Sequence, residues 1–357
     1  MSPDPSAVPA PPAPADAPAV PDHLRHAQDL LADAMAFVHP AALRTVAGLG
    51  VADLLVDGPR SAAELADTLG VHPGPLYRVL RLLAGKGAFS QDAAGRFTLT
   101  EAGAPLRSDA PASVRAAITM VTDPTFWLPT GTLGHCVTEG TNAFEKTFGA
   151  SFFDWFAKDE ATAAVFHVGM AALSDSENPL VARAFPTLPP GATLVDVGGG
   201  HGGLLAELLR ERTELYGVLY DRDHVLAGHR LDAVPELAGR WSTADGDFFA
   251  SVPPGADAYV LKRILHDWDD EQSLTLLRNC RRALAPGGRV VVVDAVLPED
   301  DTDHLGNTMD LLMMASLVGR ERTRAEFETL FAAADLRLVS ITPTGAMPSV
   351  LTAAAAD

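Results

Sequence analysis

The chain has 357 residues, and 27 lysine and arginine residues against 46 aspartate and glutamate residues give it a formal net charge of −19. At roughly 150 residues per domain, this length predicts two domains, or one large domain with attachments. The apolar content of 47% excludes wholesale disorder. The acidic balance argues against a general nucleic-acid binder, because phosphate neutralisation needs clustered Lys and Arg. The longest apolar run, 290–297, is too short for a membrane span and is interrupted by Asp294.

The two cysteines, Cys136 and Cys280, are far apart in sequence and match neither a CxxC motif nor a zinc-binding spacing. We interpret them as ordinary thiols of a reducing compartment. We therefore expect a soluble, cytoplasmic protein without a metal site.

Residues 1–22 form a Pro- and Ala-rich segment without a single aromatic side chain. Such a composition cannot bury an apolar face and favours a disordered, extended tail. A secretory signal needs basic residues followed by a continuous apolar stretch, and this segment has neither.

The next segment, 23–110, shows helical periodicity and then a short β pattern. The predicted elements are helices around 30–38 and 43–49, a helix at 65–69 opened by a capping box of Ser61 and Glu64, a helix at 75–83, and a hairpin of 88–90 with 96–100. This order is the winged-helix outline. A DNA reader would need basic side chains on the second helix and the wing, and few are present, so we favour a dimerisation domain over DNA binding.

Residues 111–186 are predicted to be helical and carry a large share of the aromatic side chains. They include Phe126, Trp127, Phe144, Phe148, Phe152, Phe153, Trp155, Phe156 and Phe166. Aromatic residues at helical spacing favour core packing, and the alternative is that some of them line a pocket for an aromatic substrate. We treat this segment as a helical linker and substrate-pocket layer.

From 187 to 357 the pattern alternates between strands and helices. The predicted strands are 193–197, 216–220, 258–261, 289–295, 336–341 and 350–354, and the predicted helices are 204–210, 274–284 and 324–334. This alternation predicts an α/β fold with a doubly wound, Rossmann-like, mostly parallel sheet. Its ligands should bind at the carboxyl ends of the strands.

A glycine-rich loop follows the first strand of this sheet. Gly198, Gly200 and Gly203 permit a tight turn and a close approach of ligand to backbone at a helix N-terminus. The same spacing satisfies GxGxxG, so a nicotinamide dinucleotide is a rival ligand. Asp221 ends the next strand about 20 residues later, where a carboxylate can bind ribose hydroxyls; the alternative role for Asp221 is a helix N-cap ahead of Val225.

Two further features favour a methyl donor over a dinucleotide. Asp247 and Phe248 precede the predicted strand 258–261 and offer a carboxylate for an exocyclic amine and a ring for an adenine face. A dehydrogenase would need a substrate domain after its fingerprint, but the residues after the glycine loop suffice only to finish one sheet.

These motifs together resemble the S-adenosylmethionine-dependent O-methyltransferases of the caffeic-acid and flavonoid type and their bacterial relatives that modify aromatic natural products. The matching segments are Val-Asp-Val-Gly-Gly-Gly at 195–200, Asp221, Gly-Asp-Phe-Phe at 246–249, Leu-Lys-Arg-Ile-Leu-His-Asp-Trp at 261–268, Leu-Ala-Pro-Gly-Gly at 284–288 and Gly-Arg-Glu-Arg-Thr at 319–323. They occur in the family's order, and the resemblance covers about 25–357.

The resemblance implies a class I methyltransferase fold with an N-terminal winged-helix-like dimerisation domain, and a homodimer formed through 23–110. It implies the following roles: Gly198 and Gly200 line the methionine moiety of the donor, Asp221 binds the ribose, Asp247 and Phe248 the adenine, Lys262 helps to hold the donor, and His266 is the general base flanked by Asp294 and Glu321. Asp294 departs from the glutamate common in the plant relatives. The cofactor would be S-adenosyl-L-methionine, its product S-adenosyl-L-homocysteine, and no metal is expected.

The chemistry agrees with these roles, because an imidazole titrating near 6.5 can take the proton of a phenol whose pKa is near 10. We therefore expect O-methylation of a phenolic hydroxyl of an aromatic secondary metabolite such as a polyketide. The alternatives are a methyltransferase acting on nitrogen or carbon or a diverged reaction, then a nicotinamide-dependent oxidoreductase, then a winged-helix regulator. The acids Asp267, Asp269, Asp270 and Glu271 are interpreted as helix-capping residues, with Asp269 and Gln272 forming a capping box.

Overall fold

The computed structural model describes residues 20–356, so all of the predicted tail except positions 20–22 lies outside the described residues. The helices are α1 (Asp22–Ala34), α2 (Val38–Leu49), α3 (Ala62–Leu69), α4 (Pro73–Gly85), α5 (Arg115–Val121), α6 (Pro124–Thr130), α7 (Leu133–Glu139), α8 (Ala143–Phe148), α9 (Phe152–Phe156), α10 (Glu160–Ala184), α11 (Gly203–Glu211), α12 (Asp223–Leu226), α13 (Asp270–Ala283), α14 (Leu305–Ser316) and α15 (Arg324–Ala333). The strands are β1 (Arg60–Ser61), β2 (Phe89–Gln91), β3 (Arg96–Leu99), β4 (Thr193–Val197), β5 (Tyr216–Asp221), β6 (Trp241–Asp245), β7 (Ala258–Lys262), β8 (Arg289–Asp294), β9 (Val296–Leu297), β10 (Arg322–Thr323), β11 (Leu336–Pro343) and β12 (Ser349–Ala355).

The N-terminal unit, from α1 to β3, has the expected winged-helix outline. The capping box begins α3 as the sequence predicts: Glu64 N donates to Ser61 Oγ at 3.2 Å, and Ser61 N donates to Glu64 Oε2 at 2.7 Å. β2 and β3 form the predicted hairpin, and β1 pairs with β3 on its other side. Two residues are too short to show alternation, which is why the sequence pattern missed β1.

The helical segment that follows the N-terminal unit packs against α14 through a cluster of aromatic side chains. The buried rings of Phe126, Phe144, Phe152 and Phe156 come from α6, α8 and α9, and they pack with Met313 of α14. Ring centroids of Phe144 and Phe152 are 5.2 Å apart and tilted by 59°, within the preferred range for aromatic pairs. This part of the chain is helical, as predicted.

The main sheet has seven strands within the described residues, in the order β11-β12-β8-β7-β4-β5-β6. Strands β4 to β8 are parallel, whereas β12 pairs antiparallel with both β8 and β11. Alternate residues of each central strand face opposite cores: Val290 and Val292 pack toward α13 and α15, and Val291 and Val293 pack toward α10 and α11. The predicted doubly wound, mostly parallel sheet is confirmed.

The sequence pattern missed the edge strand β6. Its residues, Trp-Ser-Thr-Ala-Asp, are half-buried or exposed and lack the apolar run of the central strands. An edge strand is covered less than a central one, so its periodicity is weak. The two-residue strands β9 and β10, which pair in parallel, were also missed, and they matter for the site described below.

Within residues 20–356, the stretch Asp22–Leu49 is the one helical segment whose length and mean hydropathy of 1.2 would suffice to cross a membrane. It consists of two helices, α1 and α2, interrupted at 35–37. None of the residues of α1 is buried, and its large apolar side chains, among them Leu30 and Leu31, are exposed by 71% and 63%. This helix therefore presents an apolar face that the single chain does not cover.

Candidate active site

The glycine-rich loop connects β4 to α11 at the carboxyl edge of the sheet. Gly198 and Gly200 have φ values of +67° and +57°, in the left-handed region that favours glycine. A Cβ on Gly198 would lie 2.5 Å from Cδ1 of Ile264, whereas a Cβ on Gly200 would meet nothing within 4 Å. The loop therefore packs tightly against the end of β7 on one side and leaves open space above Gly200.

Asp221 ends β5 beside this loop. Its Oδ2 accepts a hydrogen bond from Gly200 N at 2.9 Å, and its Oδ1 accepts one from Arg222 N at 2.7 Å. The alternative role of Asp221 as the N-cap of the following helix is wrong. Arg222 occupies the N-cap position of α12, and its side chain makes no capping hydrogen bond. The carboxylate is instead tied to the loop.

Asp247 follows β6, next to β5 in the sheet. Its Oδ2 accepts from Arg222 Nη2 at 3.1 Å, and its Oδ1 accepts from Phe249 N at 2.9 Å. The ring of Phe248 packs against Phe249, with ring centroids 4.8 Å apart, and its edge lies 3.6 Å from where a Cβ of Gly198 would be. Two carboxylates and an aromatic ring thus border the same glycine loop.

Lys262, at the end of β7, binds α10. Its ammonium group donates to Ser174 Oγ at 2.6 Å and to Asn178 Oδ1 at 2.7 Å, and it lies 3.6 Å from Glu177 Oε2. Burial lowers the pKa of Lys262 to about 8. The neighbouring Arg263 donates to Glu177 Oε1 at 2.6 Å, so two buried cations hold α10 against the sheet through one carboxylate.

His266 lies in a single turn of 3-10 helix, Leu265–Asp267, that follows β7. The imidazole is 4% exposed, and its Nδ1 donates to Glu321 Oε1 at 2.8 Å. Glu321 is 1% exposed and directly precedes β10, which pairs with β9 just beyond Asp294. The pairing of two short strands therefore brings Glu321 beside a histidine 55 residues earlier in the chain.

Two other carboxylates lie near His266. Oδ1 of Asp267 is 3.4 Å from Nε2 of His266, and the side chain does not cap α13 as the sequence reading had it. The cap is Asp269, which accepts from Gln272 N at 2.8 Å without the reciprocal bond of a capping box. Asp294 is buried, and neither of its oxygens has a hydrogen-bond partner among the described residues. It therefore influences His266 by charge alone.

These groups perturb each other's protonation. Burial by itself lowers the pKa of His266, but the charge of Asp267, the hydrogen bond and charge of Glu321 and the charge of Asp294 outweigh it and raise that pKa to about 9. Burial raises the pKa of Asp267 and of Asp294, against the opposing charge of His266. The surrounding carboxylates therefore favour the imidazolium form of His266 at neutral pH.

An apolar cavity opens beside His266. Its polar lining consists of Arg263, His266 and Asp267, and its apolar lining consists of Met120, Val121, Phe126, Phe152, Phe153, Phe166, Met170, Leu173, Met309, Leu312, Met313 and Leu317. Several aromatic side chains that the sequence favoured as core residues, among them Phe126, Phe152 and Phe166, thus line this cavity as well. A flat apolar molecule with one polar edge fits such a lining.

The sequence reading missed Asp267, Glu177 and Arg263 as parts of the site. The signal for Asp267 was its position directly after His266, but three further acids behind it resembled a helix start. Glu177 lies on a helix 85 positions before Lys262, and nothing local marks it. Among residues 20–356 no cluster of three or more His, Cys, Asp or Glu side chains has the geometry of a metal site.

The sheet order, the glycine loop with Asp221 behind it, and a buried histidine beyond the fourth parallel strand define a class I methyltransferase. Residues 131–337 match the model of the O-methyltransferase domain, and residues 32–108 match that of the O-methyltransferase dimerisation domain. The chain therefore belongs to the S-adenosylmethionine-dependent O-methyltransferase family.

Individual relatives agree with this assignment. The chain is 39% identical over 313 residues to the phenazine O-methyltransferase PhzM of Lysobacter antibioticus, covering 87% of this chain and 91% of that protein. It resembles the S-adenosylhomocysteine-bound structure of CalO1, a methyltransferase in calicheamicin biosynthesis, with a TM-score of 0.87 and 45% sequence identity. The match covers 94% of this chain and 100% of CalO1. It also resembles NcsB1, an O-methyltransferase from neocarzinostatin biosynthesis, in complex with S-adenosylmethionine and 2-hydroxy-5-methyl naphthoic acid. The TM-score is 0.73, the sequence identity is 35%, and the match covers 88% of this chain and 95% of NcsB1.

The family match decides between a methyltransferase, a nicotinamide-dependent oxidoreductase and a winged-helix regulator. The enzyme is an S-adenosylmethionine-dependent O-methyltransferase and not a nicotinamide-dependent oxidoreductase. The N-terminal unit is a dimerisation domain and not a DNA-reading module.

Proposed function

We propose that the enzyme methylates a phenolic hydroxyl of an aromatic secondary metabolite, and that His266 is its general base. The observation that carries this proposal is that His266, hydrogen-bonded to Glu321, lines a cavity whose other lining residues are mostly aromatic and aliphatic. PhzM is a phenazine O-methyltransferase, and NcsB1 binds 2-hydroxy-5-methyl naphthoic acid. Both molecules are flat and aromatic, which supports this substrate class.

The donor is proposed to bind over the glycine loop. Gly198 and Gly200 would line its methionine moiety, Asp221 would accept from the ribose hydroxyls, and Asp247 and Phe248 would hold the adenine. Lys262 would act indirectly, because its hydrogen bonds go to α10, which borders both the donor loop and the cavity. The open space at Gly200 and the carboxylates at the ends of β5 and β6 fit these roles.

S-adenosylmethionine supplies, when bound, a methyl group that its sulfonium has already activated. The chain's own task is to hold the acceptor oxygen in line and to accept its proton. Nε2 of His266, on the side away from Glu321, is the atom that would take this proton. Glu321 fixes the hydrogen on Nδ1 and stabilises the imidazolium, and the charges of Asp267 and Asp294 stabilise it further.

The functional unit is proposed to be a homodimer in the cytoplasm. The apolar face of α1 is exposed in the single chain, and α1 overlaps the start of the matched dimerisation domain at 32–108. A second copy of the chain is the partner that would cover this face.

The test uses deuterium-labelled S-adenosylmethionine with a panel of hydroxynaphthoic acids, phenolic phenazines and hydroxyquinones, together with amino analogues of each. Mass spectrometry of the products is expected to locate the label on a phenolic oxygen. Label found only on nitrogen would replace the proposal by N-methylation. His266→Ala should retain S-adenosylhomocysteine binding and lower turnover by about two orders of magnitude, whereas His72→Ala, an exposed histidine before α4, should behave as wild type.

A further inference from the structure

Arg322 follows Glu321 directly and is 1% exposed, which makes it the largest fully buried side chain among the described residues. Its guanidinium donates to the backbone oxygen of Leu265 at 3.0 Å and to that of Trp268 at 3.1 Å. These two carbonyls lie on either side of His266 and Asp267. One side chain thus binds both ends of the turn that carries the histidine.

The same guanidinium also binds the first turns of α13. Its Nε and Nη2 donate to Asp270 Oδ1 at 2.9 and 2.8 Å, and Nη2 lies 3.2 Å from Ser273 Oγ. A planar fork with five N–H groups can serve these partners at once, whereas the single ammonium of lysine cannot. The arrangement is specific to arginine.

The backbone around Arg322 lies directly on the histidine turn. A Cβ on Gly319 would be 1.9 Å from the backbone oxygen of His266, so only glycine permits this approach. On the other side, Glu321 N donates to Asp310 Oδ1 of α14 at 2.8 Å. Glu321 is therefore held by α14, by the β9–β10 pair and, through its neighbour Arg322, by the histidine turn itself.

We propose that Arg322 is a positioning residue for methyl transfer, which maintains the contact between His266 Nδ1 and Glu321 Oε1 by clamping the segments that carry them. It does not line the acceptor cavity and acts only through His266 and Glu321. The expected effect of Arg322 on turnover rests on the proposed role of His266 as the general base. Its effect on the contact between His266 and Glu321 does not.

The charges that face His266 determine how the inference is tested. They are Asp267 in its own turn, Asp294 at the end of β8 and Glu321 before β10. The positive charge of Arg263 acts on Asp267 and Asp294, and that of Arg322 acts on Asp294. Arg322→Lys keeps the positive charge but removes the fork. A change in the titration of His266 in this variant would therefore report displacement of Glu321 and not a lost charge.

The first experiment needs no acceptor. The titration of His266 is followed by NMR of the imidazole Cε1–H group in the full-length protein, with the signal assigned from His266→Asn. In Arg322→Lys the pKa of His266 is expected to fall by about one, because the imidazolium loses a charge-assisted hydrogen bond. Arg324→Lys is the matched control, since Arg324 is two residues away, exposed, and forms its ion pair with Glu328 at 2.8 Å.

Asp270→Asn is the second variant, and it leaves Arg322 in place. The side chain of Asp270 is 64% exposed, so this variant should fold, and it should move the pKa of His266 in the same direction by a smaller amount. An unchanged titration in both variants overturns the inference. If Arg322→Lys does not fold, an unchanged titration in Asp270→Asn alone overturns it.

The second experiment measures turnover with an acceptor from the labelled panel. Arg322→Lys should lower kcat by about ten- to a hundred-fold, as expected for a displaced catalytic group, and leave KM for the donor within about two-fold. A variant that loses thermal stability but keeps kcat and the pH profile would show a merely structural role. If His266→Ala retains turnover, His266 is not the general base. The NMR titration of Arg322→Lys still tests separately whether Arg322 positions His266 and Glu321.

Discussion

His266 has a partner on each ring nitrogen and is surrounded by three carboxylates. Glu321 lies at Nδ1, Asp267 lies near Nε2, and Asp294 contributes charge without a hydrogen bond. Their combined effect outweighs the burial of the imidazole and raises its pKa to about 9. A base with this pKa is occupied by a proton over most of the physiological range.

The pH dependence of the reaction follows from this pKa. The reaction starts either from neutral His266 with a phenol or from protonated His266 with a phenolate. Both states carry one proton fewer than the protonated histidine with the phenol, so one proton must be lost before methyl transfer. We expect kcat/KM to rise about ten-fold per pH unit from pH 6 and to level off near pH 9. Initial rates between pH 6 and 10 check this, and a flat profile from pH 6 to 9 would contradict it.

The dependence of kcat/KM on pH should also be measured for the variant Glu321→Gln. It removes a charge that raises the pKa of His266, so the rising limb should move to lower pH. The plateau should fall at the same time, because an amide stabilises the imidazolium less than a carboxylate does.

At the scale of single elements, the turn after β4 depends on its first glycine. Gly198→Ala places a Cβ 2.5 Å from Ile264 and forces alanine to a φ of +67°, which costs about 1–2 kcal/mol in backbone strain alone. We expect the dissociation constant for S-adenosylhomocysteine to rise at least about ten-fold by calorimetry. Gly134→Ala in α7, where nothing lies within 4 Å, should leave it unchanged.

The contact between α10 and β7 depends on a buried carboxylate between two cations. Glu177→Gln removes the charge that compensates Lys262 and Arg263, and breaking a buried ion pair in this way typically costs about 3–5 kcal/mol. Urea unfolding should show a loss of this size. The exposed pair of Glu328 and Arg324 offers the control: Glu328→Gln should change the free energy of unfolding by less than about 0.5 kcal/mol. Equal effects of the two variants would refute this role of Glu177.

At the scale of the whole molecule, the proposed dimer depends on the exposed apolar face of α1. Leu30 and Leu31 are exposed by 71% and 63%, and replacing both by glutamate puts two charges into the proposed dimer interface. Light scattering after size exclusion should then give the mass of a monomer. Val339→Glu, at a position on β11 that is 49% exposed, should leave the dimer intact. A double variant that remains dimeric would place the interface elsewhere.

Much of this architecture follows from local sequence patterns. Continuous apolar runs identified the central strands β4, β7 and β8, and Ser61 with Glu64 identified the start of α3, because periodicity and capping act over a few residues. The glycine loop and Asp221 were found because they lie at the carboxyl ends of predicted strands, and parallel strands bring these ends to one edge. The role of His266 came from the family resemblance of the segment 261–268.

The family resemblance implied that Glu321 and Asp294 flank His266, but only the tertiary structure decided how the surrounding groups contact it. Glu321 reaches it through a two-residue strand pair, Asp267 faces it instead of capping α13, and Arg322 clamps both segments from within the core. Lys262 binds α10, a helix more than 75 residues earlier in the chain. Such contacts join residues far apart in sequence and depend on how whole elements pack, so no local period, cap or motif spacing encodes them.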